Sequence, residues 1–325
     1  MKIAVVGCGA VGSFYGARFA RAGHEVHFLL RSDHEAVRRQ GVVIRSPEGD
    51  FQVRPRCAGR PEQIGPVELV LIGLKTTAND LFPRLLPPLV NAESMVLTLQ
   101  NCLGNEEALA RLFPAEQILG GLCFVCLNRI APGVIQHLGY GQVVLGELHR
   151  RPQPRTHKLA ARFRDAGVSC AVADDLTRAH WEKLVWNIPF NGLGVAGVVG
   201  FEAFARLTSH PPASAPARLR LASARCVPTD ILLADPRWAN LVRELMLEVI
   251  AGARALGYDV PFAFADQQIE RTRTMGDYRA STLLDFERGL PLELESLFLE
   301  PLRQASQADV PMPRLSALCT VLKKL

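Results

Sequence analysis

The chain has 325 residues, 48% of them hydrophobic and 21% charged, with a formal net charge of +5. That length suits two cores better than one, and the apolar share is too high for a disordered chain. The charge is modest and no basic run is interleaved with aromatics, so a nucleic-acid footprint is excluded and a small anionic ligand fits better.

Ile3 to Val6 is a short apolar run of the kind that forms a strand buried on both faces. It breaks into Gly7-Cys8-Gly9-Ala10-Val11-Gly12, and Phe14, Ala17, Phe19 and Ala20 then carry a helical pattern to a stop at Gly23. A second run, Val26 to Leu30, ends at Arg31. Strand, G-x-G-x-x-G, helix, strand is the βαβ unit that binds a dinucleotide. Gly7 permits the tight turn, Gly9 removes a side chain where backbone must approach a pyrophosphate, and Gly12 lets helix and strand pack closely. The helix N-terminus presents N–H groups and partial positive charge to the phosphates. The stretch from Gly7 through Cys8, Gly9, Ala10 and Val11 to Gly12 is therefore the predicted phosphate site.

Arg31 separates the two nicotinamide cofactors. An NAD-selective site places an acid at the end of the second strand, against the ribose 2′-hydroxyl. Here a guanidinium stands there, suited to a 2′-phosphate, and NADPH/NADP+ is the expected cofactor.

The opening apolar run is too short, and too soon interrupted by glycine, to read as a secretory signal. No run of about eighteen apolar residues suits a membrane span. The eight cysteines show no framework and are expected to be reduced and mostly buried. A cytoplasmic protein follows, with no membrane or nucleic-acid partner.

Beyond Arg31, residues 42–57 read as two short strands around the turn Ser46 to Asp50. Val67 to Leu74 is a central strand ending at Lys75, and a helix with Asn79 or Asp80 in its first turn follows. Ser94 to Leu99 is the next strand, ending in Gln100-Asn101. Gly104 to Glu107 opens another helix with Asn105 as its N-cap. Several short β runs fill 118–147 around the turn Ala131-Pro132-Gly133, and a helix near 156–166 and a strand near 168–173 complete a first domain, 1–174. From 175 to 325 the pattern is helical only. Pro189 should kink or break the first of these helices, and the Pro-, Ala-, Ser- and Arg-rich stretch at about 201–228 reads as a solvated, flexible insertion. The fold class is α/β, a Rossmann-type doubly wound sheet followed by an all-helical C-terminal domain.

Lys183, Asn187 and Asn191 recur every four positions, which sets an ammonium and two carboxamides along one helical stripe. Leu184, Val185, Trp186, Ile188 and Phe190 make the rest of that helix apolar, so the polar groups need partners such as a bound polar ligand. The alternative is a surface ion pair for Lys183 and loop contacts for the asparagines. Ser281 and Glu293 form a second constellation, although the pattern alone does not choose between Glu293 and Glu295. Lys75 and Asn101 stand at strand ends, where doubly wound sheets bind ligands. Cys123 and Cys126 lie in a β run with their side chains on opposite faces, and the histidines show no metal spacing, so no metal is expected. His180 is the one histidine in reserve as a proton donor.

Together, Gly7-x-Gly9-x-x-Gly12 with Arg31, Gly73-Leu74-Lys75, Gln100-Asn101-x-x-Gly104-Asn105, Lys183-x-x-x-Asn187-x-x-x-Asn191, and Ser281 ahead of Glu293 resemble the ketopantoate reductase family over nearly the whole chain. The resemblance implies an active site in the cleft between two domains and reduction of 2-dehydropantoate to (R)-pantoate by NADPH, on the way to pantothenate and coenzyme A. It implies Lys183 as general acid and Glu293, rather than Glu295, as the acid holding the substrate hydroxyl. Asn101, Asn187, Asn191 and Ser281 match substrate-orienting positions; Gly7, Gly9, Gly12, Arg31 and Lys75 match cofactor positions, and Asn101 serves that side as well. The insertion at about 201–228 departs from the family pattern and puts substrate size and access in question. A monomer or homodimer handling a small anionic keto acid is expected. A dehydrogenase of another 2-keto acid or of an opine, and a dinucleotide-binding sensor without turnover, remain open as alternatives.

Overall fold

The computed structural model describes residues 1–209 and 225–325. The chain forms two compact units, Met1–Thr177 and Arg178–Leu325.

The first unit contains β1 (Lys2–Val6), α1 (Ala10–Arg21), β2 (Glu25–Leu29), α2 (His34–Gln40), β3 (Val42–Arg45), β4 (Phe51–Val53), β5 (Arg56–Ala58) and β6 (Leu69–Ile72). It continues through α3 (Phe82–Leu85), β7 (Met95–Thr98), α4 (Asn105–Ala110), β8 (Ile118–Ala131), β9 (Val134–Glu147), α5 (Pro154–Asp165) and β10 (Cys170–Val172). The strands form one sheet in the order β4-β3-β9-β8-β7-β6-β1-β2-β5, with β10 paired to β9. From β5 to β8 every neighbouring pair is parallel. The chain leaves β1 in both directions, through β2 to β5 and through β6 to β7 and β8. The topological switch point therefore lies at β1, where the glycine turn begins.

Alternation along β1 explains the layers. Ile3 and Val5 point into one core with Phe14 and Phe19 of α1 and Phe28 of β2. Ala4 and Val6 point into the other, with Val70, Ile72, Phe82 and Leu109. Ile3, Ala4, Val5 and Val6 are all at most 1% exposed, so β1 is apolar after Lys2 because it is covered on both faces. Burying a side chain such as Phe28 contributes about 1.5–3 kcal/mol.

Three sequence expectations are corrected here. Residues 118–147 are two long strands joined by a tight hairpin, not several short runs. Gly120, Gly121, Gly139 and Gly141, together with three register shifts, interrupt the apolar alternation without ending the ladder. The cap of α4 is Gly104, in a left-handed conformation with φ 85°, and Asn105 is the first helical residue. After Lys75 the chain forms a 3₁₀ turn, Thr76–Leu81, before the short α3, rather than one helix. The helix α2 carries only one buried side chain, Val37, and so gave no periodic signal.

The second unit holds most of α6 (Leu176–Ala196), then α7 (Phe201–Ser209), α8 (Thr229–Ala234), α9 (Pro236–Ala255), α10 (Ala263–Arg273), α11 (Ser281–Glu287), a π-helical turn (Glu295–Leu299), α12 (Glu300–Gln307) and α13 (Pro313–Leu322). No strand occurs among its described residues. Pro189 does not break α6, which runs on to Ala196. A proline inside a helix costs roughly 3 kcal/mol, and fully buried Val185, Ile188 and Leu193 on either side of it offset that cost. The insertion is not a loop at its start. Phe201 and Phe204 of α7 pack on Trp238 with ring centroids 5.0 and 5.4 Å away, an apolar face that the residue composition masked. Residues 210–224, the centre of the insertion, lie outside the described residues.

All eight cysteines are free thiols, five of them buried. Burial pushes Cys170 and Cys226 up to about 12 and Cys319 up to about 11. No single helix among the described residues is long and apolar enough to cross a membrane.

Candidate active site

In the first unit, the glycine turn sits at the carboxyl end of β1. Gly7 has φ +93°, and a Cβ there would fall 2.6 Å from the Gly73 carbonyl carbon. A Cβ on Gly12 would drive into the Gly7 carbonyl oxygen, and one on Gly73 would lie 2.7 Å from Gly12 Cα. Three glycines thus interlock at the crossing of β1, α1 and β6. Gly9 is different, because a Cβ there would meet nothing within 4 Å. That open volume lies where a pyrophosphate would approach, so the cradle fits a dinucleotide.

The first intrahelical bond of α1 runs from Ser13 N–H to Gly9 O, 3.0 Å. The N–H groups of Ala10, Val11 and Gly12 precede that ladder, no side chain caps the helix, and no acid occupies its first turn. This is the electropositive end that anions seek. Cys8 turns away from it, its thiol 3.5 Å from both the Val5 and Leu29 oxygens, and burial holds that thiol protonated.

Arg31 follows β2, is exposed, and has no ion pair among the described residues. The nearest acid along the chain, Asp33, is 6% exposed and is already taken. It accepts from both ends of the Arg129 guanidinium, 2.9 Å at Nε, and from Gly133 N–H at 3.1 Å. Burial alone would raise the Asp33 pKa, but Arg129, Ser32 and the Gly133 amide outweigh it and hold the carboxyl below its usual range. The acid that could have received a ribose hydroxyl instead ties the end of β2 to the β8–β9 hairpin. The sequence reading missed it because its partners lie about a hundred residues away.

Lys75 and Asn101 stand just past the carboxyl ends of β6 and β7. Because β2, β1, β6 and β7 are mutually parallel, Arg31, the glycine turn, Lys75 and Asn101 share one edge of the sheet. That edge is where open α/β sheets bind ligands.

In the second unit, Lys183 and Asn187 are partly exposed on α6 and Asn191 is 3% exposed. Asn191 Oδ1 accepts from Thr282 N–H at 3.1 Å, and its Nδ2 donates to Asn187 O at 2.9 Å. The carboxamide therefore fastens α6 to the first turn of α11, which begins at Ser281. Trp186 Nε1 donates to Thr272 Oγ1 at 2.9 Å, fixing the rotation of α6 against α10. Glu293 is 8% exposed and lies just before the π turn; its main-chain oxygen accepts an α-type bond from Leu297 N–H at 3.2 Å, and the π turn itself is closed by Glu300 N–H donating to Glu295 O. Such turns recur at functional sites. His180 is buried, 3% exposed. Among the described residues no cluster of side chains could hold a metal ion.

A largely parallel sheet with an interlocked glycine turn at its switch point, joined to a helical unit carrying an amine and two amides on one helix, defines a dinucleotide-dependent oxidoreductase architecture. The family model described as ketopantoate reductase PanE/ApbA matches residues 3–150, and that of its C-terminal part matches 221–325. The chain is 38% identical to a 2-dehydropantoate 2-reductase from a Nostoc species, over 100% of this chain and 95% of that one. A crystal structure of 2-dehydropantoate 2-reductase from Geobacter metallireducens superposes with a TM-score of 0.88, 44% identity and 99% coverage of both chains. The fold is also that of D-mandelate dehydrogenase, solved with NADH and anilino(oxo)acetate, at a TM-score of 0.81, 18% identity and coverage of 100% and 98%. The chain belongs to the ketopantoate reductase family.

Proposed function

We propose that this protein reduces 2-dehydropantoate to (R)-pantoate with NADPH. The observation that carries the reading is end-to-end likeness to a 2-dehydropantoate 2-reductase in a chain that also has the whole polar set: the glycine turn with Arg31, and the Lys183, Asn187, Asn191 stripe. Family membership favours this activity over a sensor without turnover.

The bound reduced nicotinamide supplies the hydride. The N–H groups of Ala10, Val11 and Gly12 hold the pyrophosphate, and Arg31 takes the 2′-phosphate by charge-assisted bonds. The commitment of Asp33 to Arg129 and Gly133 supports NADPH over NADH, since it leaves no acid at the end of β2 to select a bare ribose. The Lys183 ammonium stabilises charge growing on the substrate carbonyl oxygen and then gives up its proton there. Glu293 holds the substrate hydroxyl, and Asn101, Asn187 and Ser281 orient the acid. Lys75 and Asn101 bind cofactor from the ends of β6 and β7. Asn191, engaged at both ends of its amide, serves by holding Ser281 in place. A cytoplasmic monomer or homodimer suits this biosynthetic role.

Purified protein given NADPH and a panel of 2-keto acids tests the proposal. A clear preference in kcat/KM for 2-dehydropantoate is expected; a preference for an aromatic 2-keto acid would assign the chain to another branch of the same fold, and oxidation with none of them would leave a binder only.

A further inference from the structure

The carboxyl ends of β6 and β7 carry a line of side-chain amides that the chemistry above does not use. Thr98 Oγ1 donates to Gln100 Oε1 at 2.9 Å, and Gln100 Nε2 donates to Asn79 Oδ1 at 2.7 Å. Asn79 Nδ2 donates to Asn105 Oδ1 at 2.9 Å, and Asn105 Nδ2 donates to the main-chain oxygens of Asn101 at 2.9 Å and Cys102 at 3.4 Å. Thr98, Gln100 and Asn105 are 0%, 4% and 1% exposed.

The direction of this line is forced from one end. The oxygens of Asn101 and Cys102 only accept, so Asn105 must turn its NH₂ toward them and its oxygen toward Asn79. Asn79 must then present its own NH₂ to Asn105 and its oxygen to Gln100. Reversing any member sets donor against donor or acceptor against acceptor in a region with little water, which is costly.

The line joins two strand-end loops. Asn79 belongs to the 3₁₀ turn capped by Lys75, which is closed by Ala78 N–H to Lys75 O at 3.0 Å. Asn105 grips the loop 101–104, in which Cys102 has φ 75° and Gly104 φ 85°. A non-glycine residue with such a φ is strained and persists only where its surroundings hold it.

We infer that Asn79, Gln100 and Asn105 are positioning residues that lock the Lys75 turn and the Asn101 loop in register, so that both meet the same dinucleotide. The inference rests on the reading that Lys75 and Asn101 face the cofactor. It makes the spacing between those two residues a product of amide direction rather than of packing alone.

Asn79→Asp tests it at constant shape. The carboxylate still accepts from Gln100 but sets a negative oxygen against Asn105 Oδ1. Once protonated, it donates an O–H to Asn105 and the line is restored. Asn79 is partly exposed, so the facing Asn105 oxygen, with partial burial beside it, raises the pKa of such an acid above its ordinary value of about 3.9. NADP+ affinity is measured by calorimetry from about pH 8 to about pH 5, as the ratio of variant to wild type so that titration of the nucleotide cancels. The dissociation constant of Asn79→Asp is expected to rise about tenfold or more at the upper pH and to return toward wild type at the lower. Asn79→Ala should show the loss at both. Wild-type affinity for Asn79→Asp at pH 8, or a loss that does not change with pH, overturns the proposal. Should Asn79→Asp not fold, Gln100→Glu loses and regains the donor to Asn79 in the same way and is judged by the same ratio. Wild-type protein that binds NADP+ yet reduces no keto acid would sink the functional reading while this comparison still decides the positioning role.

Discussion

Gly9 and Gly12 stand three residues apart in one motif, yet the structure assigns them opposite kinds of importance. In Gly12→Ala the new methyl would lie closer than 3.0 Å to the Gly7 carbonyl oxygen and 3.2 Å from Val5 Cγ1. The first obstacle is main chain, at the turn between β1 and α1, so backbone must move. Overpacking of this kind costs about 1–3 kcal/mol or more, and a backbone obstacle places Gly12 at or above the top of that range. In Gly9→Ala the methyl meets nothing within 4 Å, and Gly9 has an ordinary φ of −74°. Alanine is a poorer N-cap than glycine, by roughly 0.5–1 kcal/mol. A stiffer unfolded chain returns about 0.4–1 kcal/mol, so the net change in stability should be under about 1 kcal/mol. The same methyl fills the space that a pyrophosphate needs. Urea denaturation and NADPH calorimetry on both variants separate the two effects. Gly12→Ala should lose stability, whereas Gly9→Ala should keep it and lose about tenfold or more in affinity. If Gly9→Ala binds NADPH like the wild type, or unfolds as readily as Gly12→Ala, the assignment of that open volume to the pyrophosphate is wrong.

Lys183→Ala should lower kcat by roughly 10²–10⁴-fold, the usual contribution of a positioned proton donor, and leave NADPH affinity within about twofold; steady-state kinetics and calorimetry together check this, and undiminished kcat would remove Lys183 from the chemistry. Arg31→Ala should weaken NADPH by roughly 10–100-fold while NADH changes little, and an equal loss for both nucleotides would refute recognition of the 2′-phosphate. Glu147, with no side-chain exposure, accepts from Arg155, Arg150 and Thr156. Burial opposes its charge, but these donors prevail and hold its pKa below the usual value. Its stabilisation is therefore complete above the unfolded glutamate pKa of about 4.3 and fades as pH falls through the lower folded value. Arg155→Ala should cost about 2–4 kcal/mol at neutral pH by leaving a buried carboxylate short of a partner, and Glu147→Gln should flatten the acid limb of a stability-against-pH curve; an unchanged limb would show that the carboxylate is not the group responsible.

The first βαβ unit is legible from sequence because its determinants are local. The continuous apolar run of β1, the glycine spacing and the helical period of α1 all fall within the first thirty residues. The stripe Lys183, Asn187, Asn191 is legible for the same reason, since a four-residue repeat on a helix needs only helix geometry. The long β8–β9 hairpin was not, because bulges erase period-two alternation while ladder bonds to distant residues sustain the strands. Nor was the fate of Asp33, whose partners Arg129 and Gly133 lie about a hundred residues along the chain.

By itself, then, the sequence determined the class of ligand: a dinucleotide at a glycine turn, with a cation where an acid would select NAD. The tertiary structure decided which neighbouring groups remain available to ligands and which are spent on the fold. It gave Asp33 to the hairpin, Asn191 to the start of α11, and Asn79, Gln100 and Asn105 to one another. The reason is that a buried polar group must find its partner wherever the fold brings one, and those partners lie tens of residues away along the chain, beyond the reach of any local pattern.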